Sequence, residues 1–416
     1  MQDVAAHVEQ TARSATEAAA QLRSLSDAEL DALLRDLAAR LVRHGDALLD
    51  ANARDVAAGR EILSGAVLDR LRLDRPRIDQ MAGQIEALAE LPGVDPLIDC
   101  SDVDGTTVEI RRIPVGTIGA NYEARANVTA DIASQLIKSR NAGVLRTGGA
   151  ALLTAAAVVD LAIGPALDAA GVSPDAIGLV RSAEHAAASA LVSLPRLVPL
   201  VILRGSGDTT ARLSREAATH GVRTLAHAEG GGVMYVHPSA DRARTLDLIE
   251  HSLDRLGVCN RLNLLLIDSE IWDEFSRPAV DRIRALELRC SLPPHAHPLG
   301  YEWALDDKRA DTVTLSPVAG VAAAAAVANH ETSGLAAAIV AEDPAAAQEF
   351  IDQYTGTGVF WNRTTRLLDG YRLFRAPETG INIDRVPGPR GPVTYRDLHL
   401  RQVVVKPHSM TGEVPS

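Results

Sequence analysis

The 416-residue sequence predicts an α/β fold built on a parallel, doubly wound sheet. Two observations carry that expectation. Apolar residues recur at helical spacing over residues 1–90. From about residue 105 onward, short apolar strand-like runs alternate with helix-like runs, and several of the strands end in glycine turns. The length suggests two or three domains.

In chain order, Ser26 and Glu29 form a capping box, and Leu30, Leu33, Leu34, Leu37 and Leu41 follow at helical spacing. Gly45 and the Asp-rich stretch behind it are expected to end that helix. Over 105–122, β-branched residues alternate up to Pro114, and a strand then runs to Gly119. Residues 141–149 read as a buried strand, followed by an Ala-rich helix. Strands at 176–182 and 197–204 are each followed by a helix, and 223–238 reads as a strand broken by glycines. The second half repeats the rhythm: a helix over 239–256, a cysteine turn, the strand "LNLLLID", and a helix from 270. After a Pro- and His-rich loop at 291–303, strand-helix units resume, and 391–407 alternates like an exposed strand. Such an edge is usually covered, often by another subunit.

Apolar residues make up 46% and charged residues 23%, so the chain is globular. A net charge of −12 argues against a partner that is nucleic acid or anionic lipid, since either needs a basic footprint. "MQDVAAHVEQ" lacks the basic start and apolar run of a signal peptide. The longest apolar run, 320–328, is about half of the ~18 residues of a membrane span. Cys100, Cys259 and Cys290 form neither a disulfide framework nor a zinc pattern, so no metal site is expected. These features point to a protein of a reducing compartment, the cytoplasm.

Three places can carry chemistry. The turn Gly205-Ser206-Gly207 follows a strand and opens a helix, where backbone N–H groups bind phosphate. An ordinary strand-to-helix turn has the same composition. Arg146 ends a strand with no acid beside it, which suits the 2′-phosphate of NADP, although a solvated strand-end arginine reads alike. Cys259 stands in the turn Gly257-Val258-Cys259-Asn260, where backbone N–H groups can stabilise a thiolate. Cys100 and Cys290 read as inert and buried.

The segment "IPVGTIGANYEARANVTADIASQLIKSRNAGVLRTGG" (113–149) resembles the signature of the γ-glutamyl phosphate reductases, a branch of the aldehyde dehydrogenase superfamily that serves proline biosynthesis. "VPLVILRGSG", "HAEGGGVMYVHPSAD", "GVCNRLNLLLID" and "VFWNRTTRLLDGYRLFRAPETGI" match the family in the same order. The resemblance implies an aldehyde-dehydrogenase-like fold: a Rossmann-type NADP(H)-binding domain (1–102 and 114–228), an α/β catalytic domain (229–375), and a small oligomerisation β-element (103–113 and 376–416). It implies Cys259 as nucleophile and Asn127 as oxyanion donor, with Arg146, Gly205, Ser206 and Lys138 on the cofactor. Lys138 is expected nearer a helix surface. Arg125, His227, Asn260 and Glu378 would bind substrate, an amino-acyl phosphate. His227 stands where hydrolytic relatives carry a glutamate that activates water, as suits a reductive enzyme. Departures at 261–263, 329–340 and 374–377 leave the substrate open. An oxidative or thioester-using enzyme, and a non-catalytic partner of an amino-acid kinase, remain as alternatives. A homodimer or homotetramer is expected.

Overall fold

A computed structural model describes residues 2–63, 65–205, 207–227, 230–256, 258–306, 308–384 and 388–407. The chain divides into two units: Met1–Ala226 with Ala376–Gly380 and Val393–Ser416, and His227–Arg375 with Ile381–Pro392.

The first unit begins with helices Gln2–Ser24, Asp27–Arg43, Gly45–Gly59 and Arg75–Glu90. The capping box forms as expected. Ser26 Oγ accepts from the Glu29 N–H, and the Glu29 carboxylate accepts from the Ser26 N–H at 2.7 Å. The five leucines behind it are buried. That helix ends just before Gly45, as expected, but a new helix rather than a loop follows. His44 closes one helix and Gly45 starts the next, with Asp46 in its first turn, where the helix dipole favours an acid.

A five-stranded sheet follows, in spatial order Ile177–Leu179, Ala142–Thr147, Thr117–Tyr122, Leu200–Arg204, Arg223–His227. The first three pairings along this order are parallel. Chain order reverses between Thr117–Tyr122 and Leu200–Arg204, so the crevice outside their carboxyl ends is the switch point at which such sheets bind ligands.

The expectation that no segment approaches membrane-span length is corrected. Gly149–Ala169 is one helical stretch of 21 residues, with an 18-residue window of mean hydropathy 1.9, long and apolar enough to cross a membrane. It runs through a π-helical turn, Val159–Ile163, so Asp160 and the Gly164-Pro165 step do not break it. Its Ala155, Val158, Ala162, Ile163, Ala166 and Leu167 are buried in the unit's largest apolar core, as a core helix of an α/β layer requires.

A separate antiparallel sheet joins Leu97–Val103, Thr106–Pro114 and His399–Pro407, with the middle strand in the centre. Leu97, Ile98, Val103, Leu400, Val403 and Val405 are exposed on its two outer strands. Cys100 lies here and is exposed, contrary to expectation, because every residue of its strand is exposed.

The second unit is a six-stranded parallel sheet in the order Arg289–Ser291, Thr312–Val318, Leu262–Asp268, Gly232–Val236, Ala336–Val340, Gly358–Trp361. Helices Arg242–His251, Trp272–Ala285, Gly320–His330 and Pro344–Gln353 accompany it. Cys290 lies on its edge strand, half-buried, and burial pushes its thiol up to about 11.

Candidate active site

In the first unit, the carboxyl ends of the sheet strands gather most of the expected cofactor and oxyanion residues. Arg146, near the end of Ala142–Thr147, is buried. Its guanidinium donates to Asn121 Oδ1 (3.0 Å) and to the carbonyls of Ala183 (3.1 Å) and Glu184 (3.0 Å), while its buried Nε has no hydrogen-bond partner among the described residues. Desolvation lowers its pKa and the charge of Glu123 opposes that shift. At the switch point, the Glu123 N–H donates to the Arg204 carbonyl at 3.1 Å. A Cβ on Gly205 would come within 3.0 Å of the Glu123 carboxylate, so a side chain there would displace the end of Glu123. Ser206 lies outside the described residues.

Asn127 stands at the N-cap of helix Val128–Lys138, exposed, and its Nδ2 donates to Asp131 Oδ2 at 2.6 Å. One turn in, Asp131 is buried, and desolvation raises its carboxyl to about 6 against the lowering effects of Arg204, the Asn127 hydrogen bond and Arg125. The Tyr122 hydroxyl shares a 2.8 Å hydrogen bond with Thr129 Oγ1, which ties the helix start to the strand before it. Arg125 is half-buried. Glu378, also half-buried, precedes Thr379, whose N–H donates to the Val393 carbonyl at 2.8 Å. Gly380 then lies along the Arg204 side chain, 3.7 Å from its Nε as measured from where a Cβ would stand.

Lys138 is not among these residues. It ends the helix that Asn127 begins, about 16 Å away at 1.5 Å per residue. Nor is it near a surface. It is 1% exposed, and its ammonium donates to Asp31 (2.6 Å) and to the carbonyl of Leu91 (2.7 Å). The sequence hides this because Asp31 is 107 positions upstream.

In the second unit the nucleophile candidate lies at the amino edge of the sheet, opposite to the edge at which such sheets usually bind ligands. Cys259 is half-buried in the turn before Leu262–Asp268. Its carbonyl accepts from the Gly231 N–H, and that of Arg261 from the Gly232 N–H, both at 2.6 Å. The glycine run is needed there. A Cβ on Gly230 would sit 2.7 Å from the Cys259 Cβ, and Gly231 has φ +100°. Gly230 is itself held, donating from N–H to Glu302 (2.9 Å) and accepting from Ser333 Oγ (3.0 Å). Behind the cysteine stands a small apolar cluster of Leu335, Ala336, Leu368 and Ile381.

Asn260, expected to face substrate, is instead buried. Its amide donates to the carbonyls of Leu368 (3.0 Å) and Arg366 (3.3 Å) and accepts from the Arg366 guanidinium, which also binds Asp254 at 2.7 Å. Thr365 Oγ1 donates to the Asn260 carbonyl at 2.8 Å. Asn260 therefore pins the cysteine turn to residues 365–368. Arg261 is fully buried, with its guanidinium on the carbonyls of Ala310 and Thr312, and burial lowers it to about 10. Asn263 binds the Tyr301 carbonyl (2.8 Å) and the Trp303 N–H (3.1 Å). His227 closes the strand Arg223–His227. Among the described residues no group of three or more His, Cys, Asp or Glu side chains is placed to hold a metal.

Sequence reasoning missed Asp131, Glu123, Arg204, Glu302 and Arg366. Asp131 had a usable signal, an acid at i+4 from Asn127 on one helix face. Glu302 had none, because only the fold of the 291–303 loop brings it to Gly230.

A model of the aldehyde dehydrogenase family matches residues 2–296. The γ-glutamyl phosphate reductase of a Caulobacter species is 32% identical over 84% of this chain and 85% of its own length. That of Caulobacter vibrioides is 32% identical over 83% and 85%. The crystal structure of γ-glutamyl phosphate reductase from Thermotoga maritima has a TM-score of 0.88 at 26% identity, covering 99% of both chains. An acetylating aldehyde dehydrogenase from Geobacillus thermoglucosidasius shares the fold at a TM-score of 0.71 and 15% identity, covering 100% of this chain and 99% of its own. A family match over well more than half of the chain, and relatives at 32% identity over more than four-fifths of it, place the protein: it belongs to the aldehyde dehydrogenase family, in its γ-glutamyl phosphate reductase branch, and is an oxidoreductase of the kind that works with a nicotinamide cofactor.

Proposed function

We propose that the protein reduces an amino-acyl phosphate, with L-glutamyl 5-phosphate the first candidate, to the semialdehyde at the expense of NADPH. The observation that carries this reading is Cys259, a half-buried thiol whose turn is fixed by backbone hydrogen bonds to a glycine run and by Asn260, in a chain of this family. As a thiolate, Cys259 Sγ attacks the acyl carbon. The bond from that carbon to the phosphate oxygen breaks, inorganic phosphate leaves, and a thioester remains on Sγ. The bound nicotinamide supplies the hydride that reduces the thioester carbon. The resulting thiohemiacetal oxyanion re-forms its carbonyl and expels the Cys259 thiolate, which leaves the aldehyde. Both tetrahedral stages place negative charge on the former carbonyl oxygen. The family resemblance assigns a side-chain donor role for such charge to Asn127.

The first unit's residues fit the cofactor. The orphaned, buried Nε of Arg146 is a donor in need of an acceptor, which suits the 2′-phosphate of NADP(H). The Gly205 turn leads into helix Gly207–His220, whose start suits the pyrophosphate. Arg125 and Glu378 carry opposite charges suited to the carboxylate and ammonium of an amino-acid end. The apolar cluster behind Cys259 keeps water from one side of the thioester. Acyl phosphates hydrolyse quickly, so direct supply by an amino-acid kinase in the cytoplasm belongs to the same reading. The three-stranded sheet with its exposed valines and leucines is the subunit interface of a homodimer or homotetramer.

The test is Cys259→Ala. Purified variant and parent are compared for NADPH oxidation with glutamyl phosphate generated by a kinase, and for NADPH binding by fluorescence. The variant is expected to bind cofactor and turn over nothing; retained turnover refutes the nucleophile.

A further inference from the structure

We infer that Asp131 is the positioning residue that sets which face of the Asn127 amide meets the reacting oxygen. The inference rests on the reading of Asn127 as oxyanion donor and adds a residue that acts through it.

An amide side chain has two faces of opposite polarity and can turn either one to a neighbour. An oxyanion is stabilised only if the NH₂ group is presented and the carbonyl oxygen is turned aside. Asn127 makes no side-chain capping bond, so its own helix does not fix that choice. Asp131 does. It lies on the same helix face, one turn along, and its Oδ2 receives the Asn127 Nδ2–H at 2.6 Å, a short charge-assisted bond. An ionised carboxylate only accepts, so an amide flipped to bring its oxygen towards Asp131 would meet like charge. One N–H is anchored, and the second on the same nitrogen remains for the substrate.

Asp131 is well suited to hold that orientation. It is only 9% exposed and sits in a helix whose residues from Val128 to Lys138 are all buried, so the carboxylate is not free to swing. A buried carboxylate needs charge nearby to stay ionised. The groups acting on it are Arg204, at the end of strand Leu200–Arg204, and Arg125, in the turn before the helix. The Tyr122–Thr129 hydrogen bond holds the first turn against the preceding strand. The arrangement places a buried anion beneath an exposed amide.

The experiment is a double-mutant cycle with Asn127→Ala, Asp131→Asn and the pair, assayed as phosphate- and NADP⁺-dependent oxidation of glutamate 5-semialdehyde. The amide introduced by Asp131→Asn can both donate and accept, so it no longer dictates the flip, and its shape preserves packing. Asn127→Ala is expected to lower kcat about 100-fold, the usual loss of one oxyanion donor. Asp131→Asn should lower kcat about tenfold with KM within about twofold, and should have no further effect in the Asn127→Ala background. Asp131→Ala, checked alongside by circular dichroism and thermal melting, should behave likewise. If either Asp131 variant keeps full activity, or slows Asn127→Ala further, the positioning role is wrong although Asn127 stands. If Asn127→Ala is itself as active as the parent, the oxyanion reading falls and the role of Asp131 falls with it.

Discussion

Lys138→Met separates a structural lysine from a cofactor ligand. The substitution keeps most of the aliphatic stem and removes only the ammonium, which is 1% exposed and bonded to Asp31 at 2.6 Å and the Leu91 carbonyl at 2.7 Å. Breaking a buried ion pair by removing one partner costs about 3–5 kcal/mol. Asp31 keeps 22% of its side chain in solvent and can partly rehydrate, which brings the expected loss to about 2–4 kcal/mol. A cation at a helix C-terminus adds to this by about 0.3–1 kcal/mol. For a unit of this size, each kcal/mol moves the melting temperature by about 2–4 °C, so a fall of about 5–15 °C is expected in calorimetry. The KM for NADPH should be unchanged. An unaltered melting temperature together with a raised KM for NADPH would show that the ammonium serves the cofactor instead.

Arg146→Leu should raise the KM for NADPH about 10- to 100-fold, the worth of one charge-assisted contact, and leave the KM for NADH nearly as it was. Equal losses for both cofactors would assign Arg146 to holding the 183–184 loop alone. Asp131→Asn also bears on stability. The folded carboxyl is raised from 3.8 to about 6, so the folded chain holds that proton more tightly than the unfolded one. The stability this provides is complete below about pH 4 and is lost as the pH rises through 6. Two units correspond to about 3 kcal/mol at most. The variant should therefore melt higher than the parent at pH 8, with the gap closing near pH 4; a constant gap in melting temperature contradicts the buried anion. Under the proposed subunit interface, Val403→Lys on the outer strand His399–Pro407 should lower the mass in light scattering, and an unchanged mass moves the interface elsewhere or refutes it.

Local signals in the sequence suffice for most elements, and fail where an element is defined by distant contacts or by none. The capping box, the leucine stripe of Asp27–Arg43 and the buried strands Ala142–Thr147 and Leu262–Asp268 are readable because each carries its own pattern of capping or apolar residues. Strand Leu97–Val103 carries none. All seven residues are exposed, so no alternation marks it, and only its pairing with Thr106–Pro114 makes it a strand. Helix Gly149–Ala169 is readable at nearly its full length from its apolar run, and a π-turn absorbs the interruption that Asp160 and Gly164-Pro165 suggest. For the site, Arg146 and Gly205 follow the rule that ligands sit at the carboxyl ends of strands. Cys259 does not, and the resemblance rather than the topology points to it.

The same comparison redirects the question of substrate. Arg261 and Asn263 depart from the family pattern immediately beside the proposed nucleophile, and by proximity in sequence alone they would signal an altered pocket. Their side chains show otherwise. The Arg261 guanidinium is buried on the carbonyls of Ala310 and Thr312, and Asn263 bridges Tyr301 and Trp303. Both tie residues 301–303 and 310–312 to the start of the strand that follows the cysteine turn, and Glu302 in the first of these accepts from the Gly230 N–H, beside which Cys259 packs. They shape the site by holding it. The departure over 329–340 is of another kind, because Leu335 and Ala336 stand in the apolar cluster that contacts Cys259. A polar side chain introduced there would meet the surroundings of Cys259 directly. A difference in acyl preference from the relatives is therefore to be sought at 335–336, where an apolar wall stands, and not at 261–263, where the altered residues face the protein's own backbone.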